Sequence, residues 1–97
     1  MVSVIIKIRA LPEKRRELKQ TLHALIEPTR NEKGCLGHDV FEDIENKNSF
    51  CLVERWASRK DLDDHQRTDR FAVLMGTRSL LERAPEIIVN EISHSSL

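Results

Sequence analysis

Val2, Val4, Ile6 and Ile8 alternate with Ser3, Lys7 and Arg9, the period-two pattern of a strand with one buried face. Ile5 breaks the pattern by adding an apolar group to the opposite face. The same feature returns near the other end, where Ile87, Ile88 and Val89 are adjacent and Ile92 follows. Strands of this kind need apolar cover on both sides. A chain of 97 residues has little to give: one domain of this size buries only about 60 to 65% of its unfolded surface. Further burial, from a partner or a staple, is therefore expected.

Between these strands the pattern changes period. Pro12 suits the opening position of a helix, and Leu18, Leu22, Leu25 and Ile26 then recur on one helical face, with Pro28 placed to kink or end it. Gly34 and Gly37 bracket a stop and restart of the chain. Leu36 to Ile44 reads as a second strand, Glu45 to Asn48 as a four-residue turn, and Ser49 to Trp56 as a third strand. Ser58 with Asp61 resembles a capping box opening a short helix through about Gln66. Thr68 or Asp69 caps another, whose face holds Phe71, Leu74, Met75 and Leu81 despite Gly76, and which Pro85 closes. The last strand follows, and His94 to Leu97 read as a frayed end. This order predicts an α+β fold, a ferredoxin-like βαββαβ antiparallel sheet with helices on one face, as a single domain over residues 1–97.

Acidic and basic residues number 16 each, for a formal charge of zero. That balance leaves no electrostatic footprint for nucleic acid or an anionic membrane, so neither partner is expected. No run approaches the roughly 20 apolar residues of a membrane span, and Met1 to Ile8 lacks the order of a signal peptide, so a cytoplasmic location is expected. The predicted hairpin sets Cys51 opposite about Glu42, which leaves Cys35 roughly 23 Å away at 3.3 Å per residue. A disulfide between them is excluded, because the Cα atoms must approach within about 7 Å.

Three segments stand out: Pro28-Thr29-Arg30-Asn31-Glu32-Lys33-Gly34-Cys35-Leu36, then Glu54-Arg55-Trp56-Ala57-Ser58, then Asp61-Leu62-Asp63-Asp64-His65 followed by Asp69-Arg70-Phe71. In this order they resemble the antibiotic-biosynthesis monooxygenase family, which includes quinol monooxygenases. The resemblance implies a dimeric α+β barrel, and for many members a phenolic or quinol substrate, molecular oxygen and no cofactor. Other members are isomerases or haem-degrading enzymes. Haem-degrading relatives carry an asparagine on the first strand and a histidine in the later helix, where this chain has Ile6-Lys7 and Leu74-Met75. Haem is accordingly not expected, and neither flavin nor metal is, since no Gly-rich phosphate loop or complete ligand set occurs. The isomerase branch resembles this chain around Glu54 and His65 and supplies the alternative, proton transfer on a small carbonyl compound.

Among individual residues His65 is the expected base. It follows Leu62 by three positions, on the inward side of its helix, and an imidazole suits proton abstraction from a phenol near neutrality. The resulting electron-rich anion can reduce oxygen itself. Trp56, Glu54 and Phe71 are expected to contact the substrate, Trp56 offering an apolar wall and one donor. Glu54 lies on the same strand face as Trp56 and is expected to be hydrogen-bonded or ion-paired. Asp61 and His65 stand at metal-ligand spacing without a third ligand, and Asp61, Asp63 and Asp64 are more simply a solvated helix face. Arg67 and Arg70 read as surface arginines, His23 as exposed, and the direction of His38 is open. A binding protein that holds a small aromatic without turnover is the reading outside catalysis. Finally, burying about 800 Å² of the sheet's second face at about 25 cal/mol per Å² amounts to ~20 kcal/mol before the opposing terms, which favours a homodimer.

Overall fold

Four strands and three helices occupy residues 1–92, the part of the chain described by the computed structural model. In chain order they are β1 (Val2–Arg9), α1 (Arg15–Arg30), β2 (Cys35–Glu42), β3 (Ser49–Trp56), α2 (Arg59–His65), α3 (Asp69–Gly76) and β4 (Glu86–Glu91). The sheet runs β2-β3-β1-β4 with every neighbouring pair antiparallel. This is the expected ferredoxin-like βαββαβ arrangement. The reading of His94 to Leu97 falls outside the described residues.

Register explains the core. Val2, Val4, Ile6 and Ile8 stand directly opposite Trp56, Glu54, Leu52 and Phe50, so both rows project to the same side. Leu18 and Leu22 of α1, Leu62 of α2, Leu74 of α3 and Leu81 close over them. One member of this buried row is a carboxylate, Glu54, with only 2% of its surface exposed.

Several boundaries differ from the sequence reading. Pro12 opens a 3-10 turn, Pro12–Lys14, rather than α1 itself. Pro28 does not end α1, which continues to Arg30 with Thr29 of its last turn buried. β2 stops at Glu42 and not at Ile44, which is fully exposed, so six residues rather than four join it to β3. Cys51 lies opposite Phe41, one place from the expected Glu42, and it faces away from the helices while Cys35 shares the side of Trp56. Both thiols are free. After Gly76 the chain tightens into a second 3-10 turn, Thr77–Leu80, which rotates Leu81 inward and leaves Met75 outside the core. Ile92 lies just beyond β4.

Local chemistry holds the segments around Glu54. Ser58 caps α2, its hydroxyl accepting from the amide of Asp61 at 3.2 Å and donating to the Asp61 carboxylate at 2.9 Å. Thr68 caps α3 by accepting from the amide of Phe71, and its hydroxyl donates to the carbonyl of His65 at 2.7 Å. Gly34, at φ 80°, turns the chain from α1 into β2 against the side chain of Asp61, where a Cβ would collide. Its carbonyl accepts from the amide of Ala57 at 2.8 Å, tying this turn to the end of β3.

The opposite face of the sheet carries no helix. Ile5 pairs with Val53 on one side and Ile88 on the other, forming an apolar row across three strands, with Phe41 and Cys51 beside it. Ile87 and Val89 align with Ile6 and Val4 on the helix side yet remain exposed, since the helices do not extend over β4.

Candidate functional site

Glu54 projects from β3 into the space between sheet and helices. The indole of Trp56, two residues along on the same face, donates Nε1–H to Oε1 of Glu54 at 3.1 Å. From β2, Nδ1 of His38 stands 3.2 Å from Oε2 of Glu54, at an angle too oblique to satisfy either atom fully. Burial pushes the Glu54 carboxyl up, but hydrogen bonding from His38 and Trp56 and the charges of His65 and His38 outweigh it, holding the group below the ordinary carboxylate range.

His65 ends α2 and points at the same place. Its ring stacks on Trp56 with centroids 4.5 Å apart and planes at 28°, while Phe71 meets it edge-on at 5.5 Å. Nδ1 lies 2.8 and 3.0 Å from the two oxygens of Glu32, in the loop after α1. Arg70 of α3 donates Nε–H to the same carboxylate at 3.0 Å. A carboxylate accepts only, so we assign the proton of the neutral ring to Nδ1. That leaves Nε2 bare. It is buried, makes no hydrogen bond, and stands 3.9 Å from Oε1 of Glu54.

Of the four residues expected at the site, Glu54, His65 and Phe71 line one cavity, whereas Trp56, expected as a substrate wall, is fully buried behind it with His65 stacked on its ring. The cavity measures about 10 Å³, the room of one water. Leu22, Leu25 and Thr29 of α1, together with Arg70 and Leu74 of α3, complete its wall. A larger hollow of about 390 Å³ lies on the open sheet face, but none of these four residues lines it. Among the described residues no group of three potential metal ligands occurs, and Asp61 is engaged by Ser58 rather than directed at His65.

Three participants were not assigned from the sequence. Glu32 lies inside the Pro28 to Leu36 segment but carries no periodic signal. Arg70 read as a surface arginine, and its guanidinium instead anchors Glu32. His38 turns inward because β2 takes an irregular step between Cys35 and Gly37 that leaves Leu36 without a partner. Cys35 and His38 consequently share the helix side although an odd number of positions separates them.

Comparison with known proteins gives a consistent family. A family model described as antibiotic biosynthesis monooxygenase matches residues 1–76, a span that contains the whole cluster. The Mycobacterium tuberculosis protein Rv0793, provisionally named a monooxygenase, is 36% identical over 70 residues, covering 72% of this chain and 68% of that one. Its solved structure superposes with a TM-score of 0.89 at 30% identity, covering 99% and 98% of the two chains. YcnE of Bacillus subtilis, also provisionally named a monooxygenase, is 29% identical over 87 residues, or 89% of this chain and 92% of its own. A third relative, sll1783 of Synechocystis, is 32% identical over 81 residues, 84% of this chain, which spans about half of that protein's length.

The depressed Glu54 carboxyl sets a pH dependence. Its contribution to stability is fully present above the ordinary carboxylate value of 4.5 and is lost as pH falls through the lower folded value. Urea unfolding of the wild type and of Glu54→Gln should therefore differ at neutral pH, with the gap closing below 4.5. A gap that stays constant into acid would contradict the ionised, supported carboxylate.

Proposed function

The chain belongs to the antibiotic biosynthesis monooxygenase family, and from that premise we propose that it is a cofactor-independent monooxygenase of a small quinol or phenol. The observation that carries this reading is the buried Nε2 of His65, without a partner, on a ring held from behind by Glu32 and Arg70. This is the arrangement of a general base whose tautomer is set by a carboxylate.

The substrate hydroxyl transfers its proton to Nε2, and the imidazolium formed is stabilised by Glu32 on one side and Glu54 on the other. The phenolate then supplies electrons to oxygen. One oxygen atom becomes bonded to a ring carbon, the other leaves as water, and the four electrons that oxygen takes come from the substrate. Phe71 offers the aromatic ring an apolar face, and Trp56 backs the ring of His65. A cavity of about 10 Å³ is too small for such a ring. Entry requires displacement of Phe71 and Arg70 on α3, where Arg70 is the more exposed partner of its ion pair.

Oxygen uptake with a panel of hydroquinones tests the assignment. The wild type should consume oxygen, and His65→Gln should lower the rate by about 10²-fold or more. No uptake with any member of the panel would contradict it, leaving proton transfer on a carbonyl compound, or binding without turnover, as the use of the site.

We also propose that a second copy of the chain covers the open sheet face. The support is the Ile5–Val53–Ile88 row, flanked on that face by Lys7 and Arg55 and by Asp39 and Glu86, charges of both signs that a two-fold axis can bring together. Sedimentation at micromolar concentration should give twice the chain mass, and Ile5→Asp should lower it. A wild-type monomer at every concentration would contradict the proposal.

A further inference from the structure

The cavity contains a second imidazole that the mechanism above does not use. His38, 3% exposed, enters from β2, whereas His65 enters from α2 on the far side of Glu54. The two rings have related settings. Nδ1 of His65 is hydrogen-bonded to Glu32 at 2.8 Å, Nδ1 of His38 approaches Glu54 at 3.2 Å without an aligned bond, and each ring leaves a buried Nε2 without a hydrogen bond. An imidazole kept only to support Glu54 gains nothing from an unsatisfied Nε2 beside a cavity, since an unpaired buried polar atom costs stability. It gains if a ligand hydroxyl completes the bond.

We propose that His38 is a second catalytic proton acceptor, and that the site is built for aromatics which surrender two hydroxyl protons rather than for monophenols. The inference rests on the quinol reading of the site but concerns the work of His38. In the step it describes, two O–H bonds of a dihydric aromatic break, and two N–H bonds form, at Nε2 of His65 and Nε2 of His38. No electron moves in that step. Each new imidazolium then has its own carboxylate, Glu32 for His65 and Glu54 for His38, so neither positive charge is left unpaired in a buried site. The charged and titratable groups around His38 are Glu54 on β3, His65 on α2 and Arg70 on α3, which line the same cavity, with Cys35 and Asp39 on its own strand and Arg55 on β3 nearby. Arg30 of α1 donates to the backbone carbonyl of His38 at 2.9 Å and holds the strand rather than the ring.

Anaerobic titration with 4-nitrocatechol, whose ionisation states have distinct visible spectra, tests the proposal without turnover. On binding to the wild type, the second ionisation of the probe should fall by about two pH units. His38→Gln should return it to the value of free probe. His38→Asn, which can reproduce the Nδ1 contact with Glu54 but has no Nε2, should do the same, while both variants still bind 4-nitrophenol as its anion through His65. A shift retained in His38→Asn would show His38 to be a support for Glu54 and overturn the proposal. So would an unshifted second ionisation in the wild type, or no binding of the probe, and this wild-type measurement decides even if neither variant folds. Failure of the two readings is separable. A protein that lowers both ionisations yet consumes no oxygen retains the two acceptors and loses the monooxygenase reading. One that oxidises quinols without the second shift does the reverse.

Discussion

One ionised carboxylate placed in an apolar row organises this protein. Glu54 takes a core position between Leu52 and Trp56 on β3, where a bare charge would cost several kcal/mol even after relaxation, on the order of the penalty for any ion moved into a protein interior. What offsets the cost is the indole of Trp56 and the imidazole of His38, with His65, 3.9 Å away, adding an opposing charge only when it is protonated. Removing any of them leaves the others around an undercompensated charge. The residues that make the site chemically capable are therefore the ones that make the core tolerable.

The fold delivers those groups through short, specific backbone devices. A step in β2 turns His38 inward, the Ser58 cap starts α2 so that its last residue is His65, and the Thr68 cap bonds the carbonyl of His65 as it starts α3. Gly34 lets the loop bearing Glu32 turn tightly against Asp61. The ion pair from Arg70 to Glu32 crosses from α3 to that loop, so displacement of α3 on ligand entry acts on the carboxylate that orients His65. Access and basicity are coupled by one contact.

The order of strands and helices along the chain, the helical face of α1, both helix caps and the inward placement of Trp56, Glu54 and His65 were legible because each rests on a period or a cap that local physics enforces. Glu32 and Arg70 were not legible, since their pairing joins residues far apart in sequence and neither lies in an apolar repeat. His38 shows the limit most clearly. Strict alternation from Cys35 would send it to the open face, and only the irregular step at Leu36 reverses its direction. The early ending of β2 and the tightening of the chain after Gly76 were missed for a related reason, that exposed apolar residues such as Ile44 and Met75 mimic a core pattern.

The account depends on a protonation pattern: Nδ1–H of His65 donated to Glu32, with Nε2 bare and turned toward Glu54. Nitrogen NMR of the histidine side chains, recorded above their titration, reads it directly. The predicted result is the Nδ1–H tautomer for His65. A spectrum showing the Nε2–H tautomer would place the proton on the atom that must accept one, and would contradict the assignment of His65 as the base.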